Sequence, residues 1–283
     1  MTPPAPGDRV VLVTGASSGI GRETALRFAR AGDTVVGVAR HEPALRELAA
    51  EQPGVEVEVC DLDVAEERAA LVARVLARHG TVDVLVNDAG VGAVGLLHEL
   101  SAHDVERVYQ TNVIAYADLA RLVLPTMLAR GSGVLVSLSS AAAWVSGPPS
   151  TVYASSKFAV DGLVEGLRRE LHGTGVLVHS VNPGPIATPY LSRTAERPPQ
   201  PGDPPVPDAP GFPASWVADA VYEVAQARHP VTRSVPRPVG LLRLAQVPPV
   251  GFVLDQVLGR LAGPVVAYAR GLVAERVQGV PRR

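Results

Sequence analysis

The chain has 283 residues, 47% of them hydrophobic and 19% charged, which is enough apolar material for one large core and excludes disorder throughout. Twenty-six basic against 28 acidic side chains give a net charge of −2, with no broad positive field for a nucleic-acid backbone, so nucleic acid is not an expected partner. Cys60 is the only cysteine, so no intrachain disulfide can form and no metal centre of several thiolates is expected; a reducing, cytoplasmic setting fits best.

Residues 1–8 read as a loose tail, because a proline-rich opening without a basic segment and apolar run is not a secretory signal. From Arg9 to Val181, short β-branched runs alternate with helix-length stretches, the pattern of stacked βαβ units. Six strands are predicted: Val10 to Val13, Thr34 to Val38, Val55 to Val59, Val82 to Val86, Val134 to Leu138 and Val176 to Val181. Their unbroken apolar runs indicate burial on both faces of a doubly wound parallel sheet. Leu71, Val72, Val75 and Leu76 mark one of the intervening helices.

The segment Thr14-Gly15-Ala16-Ser17-Ser18-Gly19-Ile20-Gly21 follows the first strand and opens a helix expected near Arg22. Gly15 permits a tight turn, Gly19 and Gly21 let backbone approach a pyrophosphate and the sheet, and the helix N–H groups face the anion. Position between strand and helix favours dinucleotide binding over a glycine-rich turn without a ligand, and no Gly-Lys-Ser/Thr follows to make a P-loop. Where an acid would hold the ribose 2′-hydroxyl after the second strand stands Arg40, which with Arg22 suits a 2′-phosphate and favours NADP over NAD; a solvated surface arginine is the alternative. Asp61, after the third strand, is placed to accept from an adenine amino group, and Asp63 is equally suited to cap a helix.

Asn112 lies in a predicted helix between apolar neighbours, as a solvated position or a buried polar one. Ser139 and Ser140 end the fifth strand, where a hydroxyl can donate to a substrate oxygen, and no Gly-x-Ser-x-Gly elbow marks a hydrolase. Tyr153 and Lys157 stand four apart on one helix face, so a cation beside the phenol is expected to lower its pKa and make it a proton donor and acceptor. Of the 26 basic side chains, Lys157 is the only lysine, a position where a compact ammonium has kept its place in an arginine-rich chain.

Eleven prolines crowd Pro183 to Pro213, and the stretch 185–213 reads either as a substrate-covering loop without regular structure or as a disordered surface insertion. Ser215 is expected to cap a helix from Trp216 to about Arg228, with Val217, Val221 and Val224 on one face. Val250, Val253, Leu254, Val257, Leu258 and Leu261 then make an amphipathic helix, with Asp255, Gln256 and Arg260 on its polar face. Pro248, Pro249 and Pro264 keep these C-terminal helices too short to span a bilayer, and packing on the domain or a neighbouring subunit is favoured over a membrane surface.

From Arg9 to about Pro189 these motifs, in order, resemble the short-chain dehydrogenase/reductase family: the TGxxxGxG loop at Thr14 to Gly21, the Asn-Asn-Ala-Gly motif at Asn87 to Gly90, and the YxxxK pair at Tyr153 and Lys157. One departure is Asp88, where the family has a second asparagine; the expected effect is on stability or cofactor affinity more than on the reaction. The resemblance implies a Rossmann-type single domain over 9–235; the stretch beyond Val235 exceeds the family's usual core, and 236–283 reads from its own periodicity as a helical extension. It selects Ser140 over Ser139 and maps the active-site asparagine to Asn112. Cofactor contacts are implied for Gly15, Ser17, Ser18, Gly19, Ile20 and Gly21, for Arg40, Asp61 and Leu62, and for Asn87, Ala89 and Gly90. They are likewise implied for Tyr153 and Lys157, and for Pro183, Gly184, Ile186 and Thr188 beside the nicotinamide.

The implied reaction is hydride transfer between nicotinamide C4 of NADP, or of NAD, and a ketone or secondary alcohol of apolar character. In it Tyr153 moves the proton, Ser140 orients the oxygen, Lys157 holds the ribose, and Asn112 fixes a helix distortion and a water. A homodimer or homotetramer is implied as well. Two other readings remain: an NADP-binding sensor or scaffold without turnover, and a sugar-nucleotide epimerase or dehydratase, which the glycine spacing and the lack of a separate domain after Val181 disfavour.

Overall fold

The computed structural model describes residues 7–188, 211–248, 250, 251 and 257. The central strands are continuous apolar runs whose alternate residues enter opposite layers, so each must be covered on both faces. In β1 (Val10–Thr14), Val11 and Val13 join the core layer that contains Phe28, while Leu12 joins the layer of Leu71 and Leu119. The same alternation separates Val84 and Val86 from Leu85 in β4 (Val84–Asn87). It separates Val134 and Val136 from Leu135 in β5 (Gly133–Leu138).

With β2 (Thr34–Ala39), β3 (Val55–Val59) and β6 (Val176–Pro183) these strands form a parallel sheet. β3 is an edge and reads Val-Glu-Val-Glu-Val, and its Glu56 and Glu58 pair with Arg78 and Arg74 of a neighbouring helix, which keeps the edge charged. The sheet has seven strands in the order β3-β2-β1-β4-β5-β6-β9, with β9 at Thr232–Val235. β7 (Ile186–Ala187) and β8 (Phe212–Pro213) form a separate two-stranded parallel pair.

The seventh strand, β9 (Thr232–Val235), was not among the six expected. Four residues of Thr-Arg-Ser-Val carry almost no apolar signal, and β9 exists because Ser180 to Pro183 of β6 offer it a parallel ladder. The proline-rich stretch also keeps more order at its ends than expected, since β6 runs through Pro183 and the β7–β8 pair follows. The body of the predicted substrate loop, 189–210, and most of the predicted C-terminal helix lie outside the described residues.

One face of the sheet is covered by α1 (Gly19–Ala29), α2 (Glu42–Glu51) and α7 (Ala214–Val224), the other by α3 (Ala65–His79), α5 (Ala115–Arg130) and α6 (Thr151–Glu170). α4 (Ala102–Tyr109) runs into α5. The combined run Ala102–Arg130 is long and apolar enough by composition to cross a membrane. Here, however, Leu119, Val123 and Met127 are in the core, and Asp118 is bonded to the buried Arg68 of α3 at 2.7 Å. Two predicted helix starts are corrected. α1 begins at Gly19, ahead of Arg22, because the glycines themselves form its first turn. α7 begins at Ala214 with Pro213 at the N-cap, so Ser215 does not cap it, and the helix ends at Val224 short of Arg228.

Not every buried group is apolar. Arg9 and Asp33 form a buried pair at 2.6 Å, with the guanidinium 5.2 Å from the Phe28 ring centroid, and Asp33 also accepts from Gly7 N–H, which fastens the end of the predicted tail. His179 in β6 is fully buried; Nδ1 accepts from Val231 N–H and Nε2 has no hydrogen-bond partner among the described residues. Burial, reinforced by the charge of Arg168 and by His229, pushes its pKa down from 6.5 to about 4. The folded protein therefore binds fewer protons than the unfolded chain between these values, and the stability present above pH 6.5 is lost as pH falls toward 4. Urea unfolding at pH 7 and pH 4.5 is expected to show a larger loss for the parent than for His179→Gln. The difference should be about 2 kcal/mol.

Candidate active site

The carboxyl ends of β1, β4, β5 and β6 bring the chemistry-bearing residues to one edge of the sheet, where open α/β folds hold their ligands. At β1 the chain turns through Gly15, whose φ of +75° favours glycine, and Ala16 N–H bonds to Val38 O at 3.1 Å. Gly21 has no room for a side chain: a Cβ there would lie 2.5 Å from Gly15 O. Ser18 precedes α1 in extended conformation without a side-chain bond to the helix, and no acid stands in the first turn. The N–H groups at the start of α1, with Gly19 and Ile20, are therefore open to an anion. A dinucleotide pyrophosphate fits this cradle, which a single methyl group at position 21 would fill.

Beside the turn, Thr14 Oγ1 donates to Val86 O and accepts from the N–H groups of Asp88 and Ala89, which locks the glycine turn to the end of β4. Asn87 is buried and donates to Tyr116 O at 3.4 Å, so its role is to join β4 to α5. Asp88 is the unusual member. Its Oδ2 lies against both glycines, 2.9 Å from a Cβ built at Gly15 and 2.7 Å from one at Gly21. Its negative charge thus stands at the mouth of an anion cradle.

At β2 and β3, Arg40 is exposed and lies 3.7 Å from Asp61 and 3.9 Å from Asp63. Arg22 does not join it as expected, because it is bonded to Glu51 of α2. Nor does Asp63 cap a helix. Val64 is the N-cap of α3, and Asp63 Oδ1 instead accepts from Thr111 Oγ1 at 2.6 Å. Asp61 Oδ1 accepts from Asp63 N–H at 3.0 Å, and Leu62 is buried with its carbonyl bonded to Arg68.

Asn112 occupies a π-helical turn, Gln110–Ile114, between α4 and α5, and is fully buried. Its amide is satisfied on both sides: Oδ1 accepts from Val91 N–H at 2.9 Å, and Nδ2 donates to Val91 O and to Ser156 Oγ, both at 2.9 Å. The widened turn swings this side chain inward to bind the strand-like backbone after β4, a local irregularity of the kind found at functional sites.

At the end of β5 the two serines part. Ser139 is buried and donates to Lys157 O, whereas Ser140 is partly exposed and hydrogen-bonded to the Tyr153 hydroxyl. Lys157 is buried at 3% exposure, donates to Leu138 O at 2.8 Å and lies 5.8 Å from the Tyr153 ring centroid. Gly90 faces the same ammonium, 3.7 Å from a Cβ built there. Desolvation lowers the Lys157 pKa from 10.5 to about 8, against the opposing charges of Asp88 and Asp161.

The expectation of a phenol acidified by its lysine is corrected. Tyr153 stands above its ordinary pKa, because burial of the hydroxyl outweighs the lowering by Ser140, and the charge of Asp88 raises it further. The phenol is therefore a protonated donor in the free protein. Pro183 is buried at the end of β6, Gly184 N–H bonds to Val235 O at 2.8 Å, and Ile186 and Thr188 follow directly in the chain, Ile186 buried in β7. Two neighbours were not anticipated. Asp161, one turn beyond Lys157 on α6, accepts from Trp144 Nε1, and Gln246 of the 3-10 helix Arg237–Gln246 donates to Ala143 O. The i, i+4, i+8 spacing of Tyr153, Lys157 and Asp161 was the available signal for the first.

A family model described as short chain dehydrogenase matches residues 9–198. The chain belongs to the short-chain dehydrogenase family. It is 43% identical over 184 residues to a short chain dehydrogenase of Pseudocercospora fijiensis, an alignment covering 63% of this chain and 60% of that protein. It is also 33% identical over 196 residues to the 3-oxoacyl-[acyl-carrier-protein] reductase of Thermotoga maritima, with 67% and 78% covered.

Among solved structures, a short-chain dehydrogenase from Streptomyces avermitilis superposes with a TM-score of 0.72 at 31% identity, covering 93% of this chain and 98% of that one. A Burkholderia phymatum member in complex with NAD gives 0.76 at 28% identity, with 86% and 95% covered. A metagenomic member in complex with NADP gives 0.67 at 30%, with 80% and 96% covered. Two of these three structures thus hold a nicotinamide dinucleotide, in keeping with the cradle described above.

Gly21→Ala tests that cradle directly. Its Cβ is expected to displace the Gly15 carbonyl and weaken nicotinamide-dinucleotide binding by roughly tenfold or more, read as dissociation constants of NADH and NADPH by nucleotide fluorescence, while the fold is kept.

Proposed function

We propose that the protein is an NADP-dependent carbonyl reductase or alcohol dehydrogenase acting on a ketone or secondary alcohol, with Tyr153 as general acid and base. The observation that carries this reading is the convergence of Ser140, Tyr153, Lys157 and Asn112 at the end of β5, beside the open N-terminus of α1. When bound, the nicotinamide supplies or accepts the hydride. Gly15, Gly19 and Gly21 would hold its pyrophosphate, and Lys157 with Pro183 and Gly184 its nicotinamide end.

The chain's own part is positional and electrostatic. Ser140 donates to the substrate oxygen and holds it beside the Tyr153 hydroxyl. Tyr153 gives that oxygen a proton as the carbon is reduced, or takes it in oxidation. Lys157 stabilises the tyrosinate that remains, and its ammonium is fixed by Leu138 O. Asn112, held by Val91 and Ser156, keeps the floor of this pocket in place. A phenol that is neutral in the free protein supports reduction as the direction for which the site is set.

Arg40, the exposed cation at the end of β2, supports a 2′-phosphate and hence NADP. Val239 packs 3.0 Å from a Cβ built at Gly184, and Leu241, Leu242 and Leu244 are exposed on the same 3-10 helix, which supports an apolar substrate. Exposed Ile114 and Phe158 support pairing of two copies through the long helices.

Tyr153→Phe is expected to lower the rate of NADPH-dependent reduction by roughly 10²–10⁴-fold with NADPH affinity unchanged; full turnover on a ketone the parent accepts removes the assignment. For the parent, kcat/KM is expected to hold up to about pH 8 and fall above it, since Lys157 is charged below its pKa of about 8 and loses its proton above. Arg40→Asp is expected to shift preference from NADPH toward NADH, and equal NADPH affinity in parent and variant refutes the role of Arg40.

A further inference from the structure

A polar knot lies behind the proposed catalytic groups and meets them only at the Ser140 backbone carbonyl. Asp161 on α6 is its centre. Oδ2 accepts from Trp144 Nε1 at 3.2 Å, and Asn182 Nδ2 lies 3.3 Å from Oδ1 and 3.2 Å from Oδ2. The same Asn182 Nδ2 lies 3.4 Å from Ser140 O, and its Oδ1 accepts from Ser180 Oγ at 2.8 Å. Ser180 Oγ is also 3.3 Å from Asp161 Oδ1, so its one proton goes to the nearer Asn182 oxygen. Trp144, Ser180 and Asn182 are buried, at 3%, 2% and 0% exposure.

One carboxylate thus ties together three segments that approach from different parts of the chain. The turn Ser140–Trp144 comes from the end of β5, and the end of β6 leads through Asn182 into Pro183 and Gly184. The third is the helix that carries Tyr153 and Lys157. Ordinary packing does not require an acid here; apolar contact between α6 and β6 would join the same elements. A carboxylate accepting from an indole N–H and an amide at one point fixes distance and orientation, which apolar contact does not. We propose that Asp161 is a positioning residue for the reaction, holding Ser140 in register with Tyr153 and Lys157. This rests on the functional reading above.

Its charge adds a second consequence. The titratable and charged groups facing the Lys157 ammonium are Asp88 from the loop after β4, Asp161 from its own helix, Tyr116 from α5 and Tyr153. Asp88 and Asp161 both favour the charged lysine, so neutralising Asp161 leaves desolvation less opposed.

The test is Asp161→Asn in the full chain, in a Trp216→Phe background so that Trp144 is the sole tryptophan. Three results are expected. Trp144 emission shifts to the blue, because a negative charge at the pyrrole end of the indole stabilises its excited state. The kcat for ketone reduction falls on the order of 10–100-fold with NADPH affinity within about twofold of the parent. The alkaline limb of kcat/KM moves to lower pH by roughly one unit.

Parental kcat and a parental alkaline limb overturn the proposal. Failure of the functional reading is distinct: Tyr153→Phe would then keep its turnover, while the emission shift in Asp161→Asn would still occur. Should Asp161→Asn not fold, Asp161→Glu and Trp144→Phe decide. A fall in kcat with cofactor affinity retained in either supports the positioning role, and parental kcat in both overturns it.

Discussion

The site is organised around one desolvated ammonium. Lys157 is buried among the ends of β4 and β5, fixed by the Leu138 carbonyl and balanced by two carboxylates at a distance, Asp88 and Asp161. Its pKa of about 8 leaves it mostly charged near neutrality, in surroundings that screen poorly. An arginine cannot occupy this place. Its guanidinium is larger, needs a planar set of acceptors and does not give up its charge on burial. A chain that uses arginine at every other basic position has therefore kept its one lysine where a compact cation is required.

The surrounding structure presents groups to that ammonium from fixed directions. The glycine turn is held to the end of β4 by Thr14, and the π turn is held to the backbone after β4 by Asn112. The end of β5 divides its two serines between structure and cleft, with Ser139 on the carbonyl of Lys157 and Ser140 on Tyr153. All but the Ser140–Tyr153 contact are satisfied by backbone, and so depend on the sheet register and not on side-chain rotamers alone. Asp88 is the exception in character, a carboxylate at the cradle where an anion is expected. Its charge raises Tyr153 and Lys157 alike, favouring the protonated forms of both.

Six of the seven strands of the sheet were legible because each carries repeated β-branched residues, in unbroken runs where the strand is central and alternating with glutamate at the edge strand β3. The seventh, Thr232–Val235, has no such run and forms because β6 presents an unpaired edge. The site divides in the same way. Tyr153 and Lys157 share a helix face by local spacing alone, and the glycine turn follows directly from the strand before it. The neighbours that set the pKa values come from 65 or more positions away in the case of Asp88, and no local rule connects it to Tyr153. For that reason local spacing pointed to a phenol below its ordinary pKa, whereas burial of the hydroxyl and the charge of Asp88 set it above.

What the sequence by itself determined is the set of contacts made within one element or one turn: the layered sheet, the anion cradle at α1, and the pairing of phenol and ammonium on α6. Tertiary structure alone decided the rest. It drew Asn112 into the π turn, moved Arg22 from Arg40 to Glu51, and joined Asp161 to Trp144 and Asn182. The reason is physical. Periodicity reports which face of an element is apolar, whereas desolvation and long-range hydrogen bonds depend on which remote groups the packed sheet brings within a few ångströms.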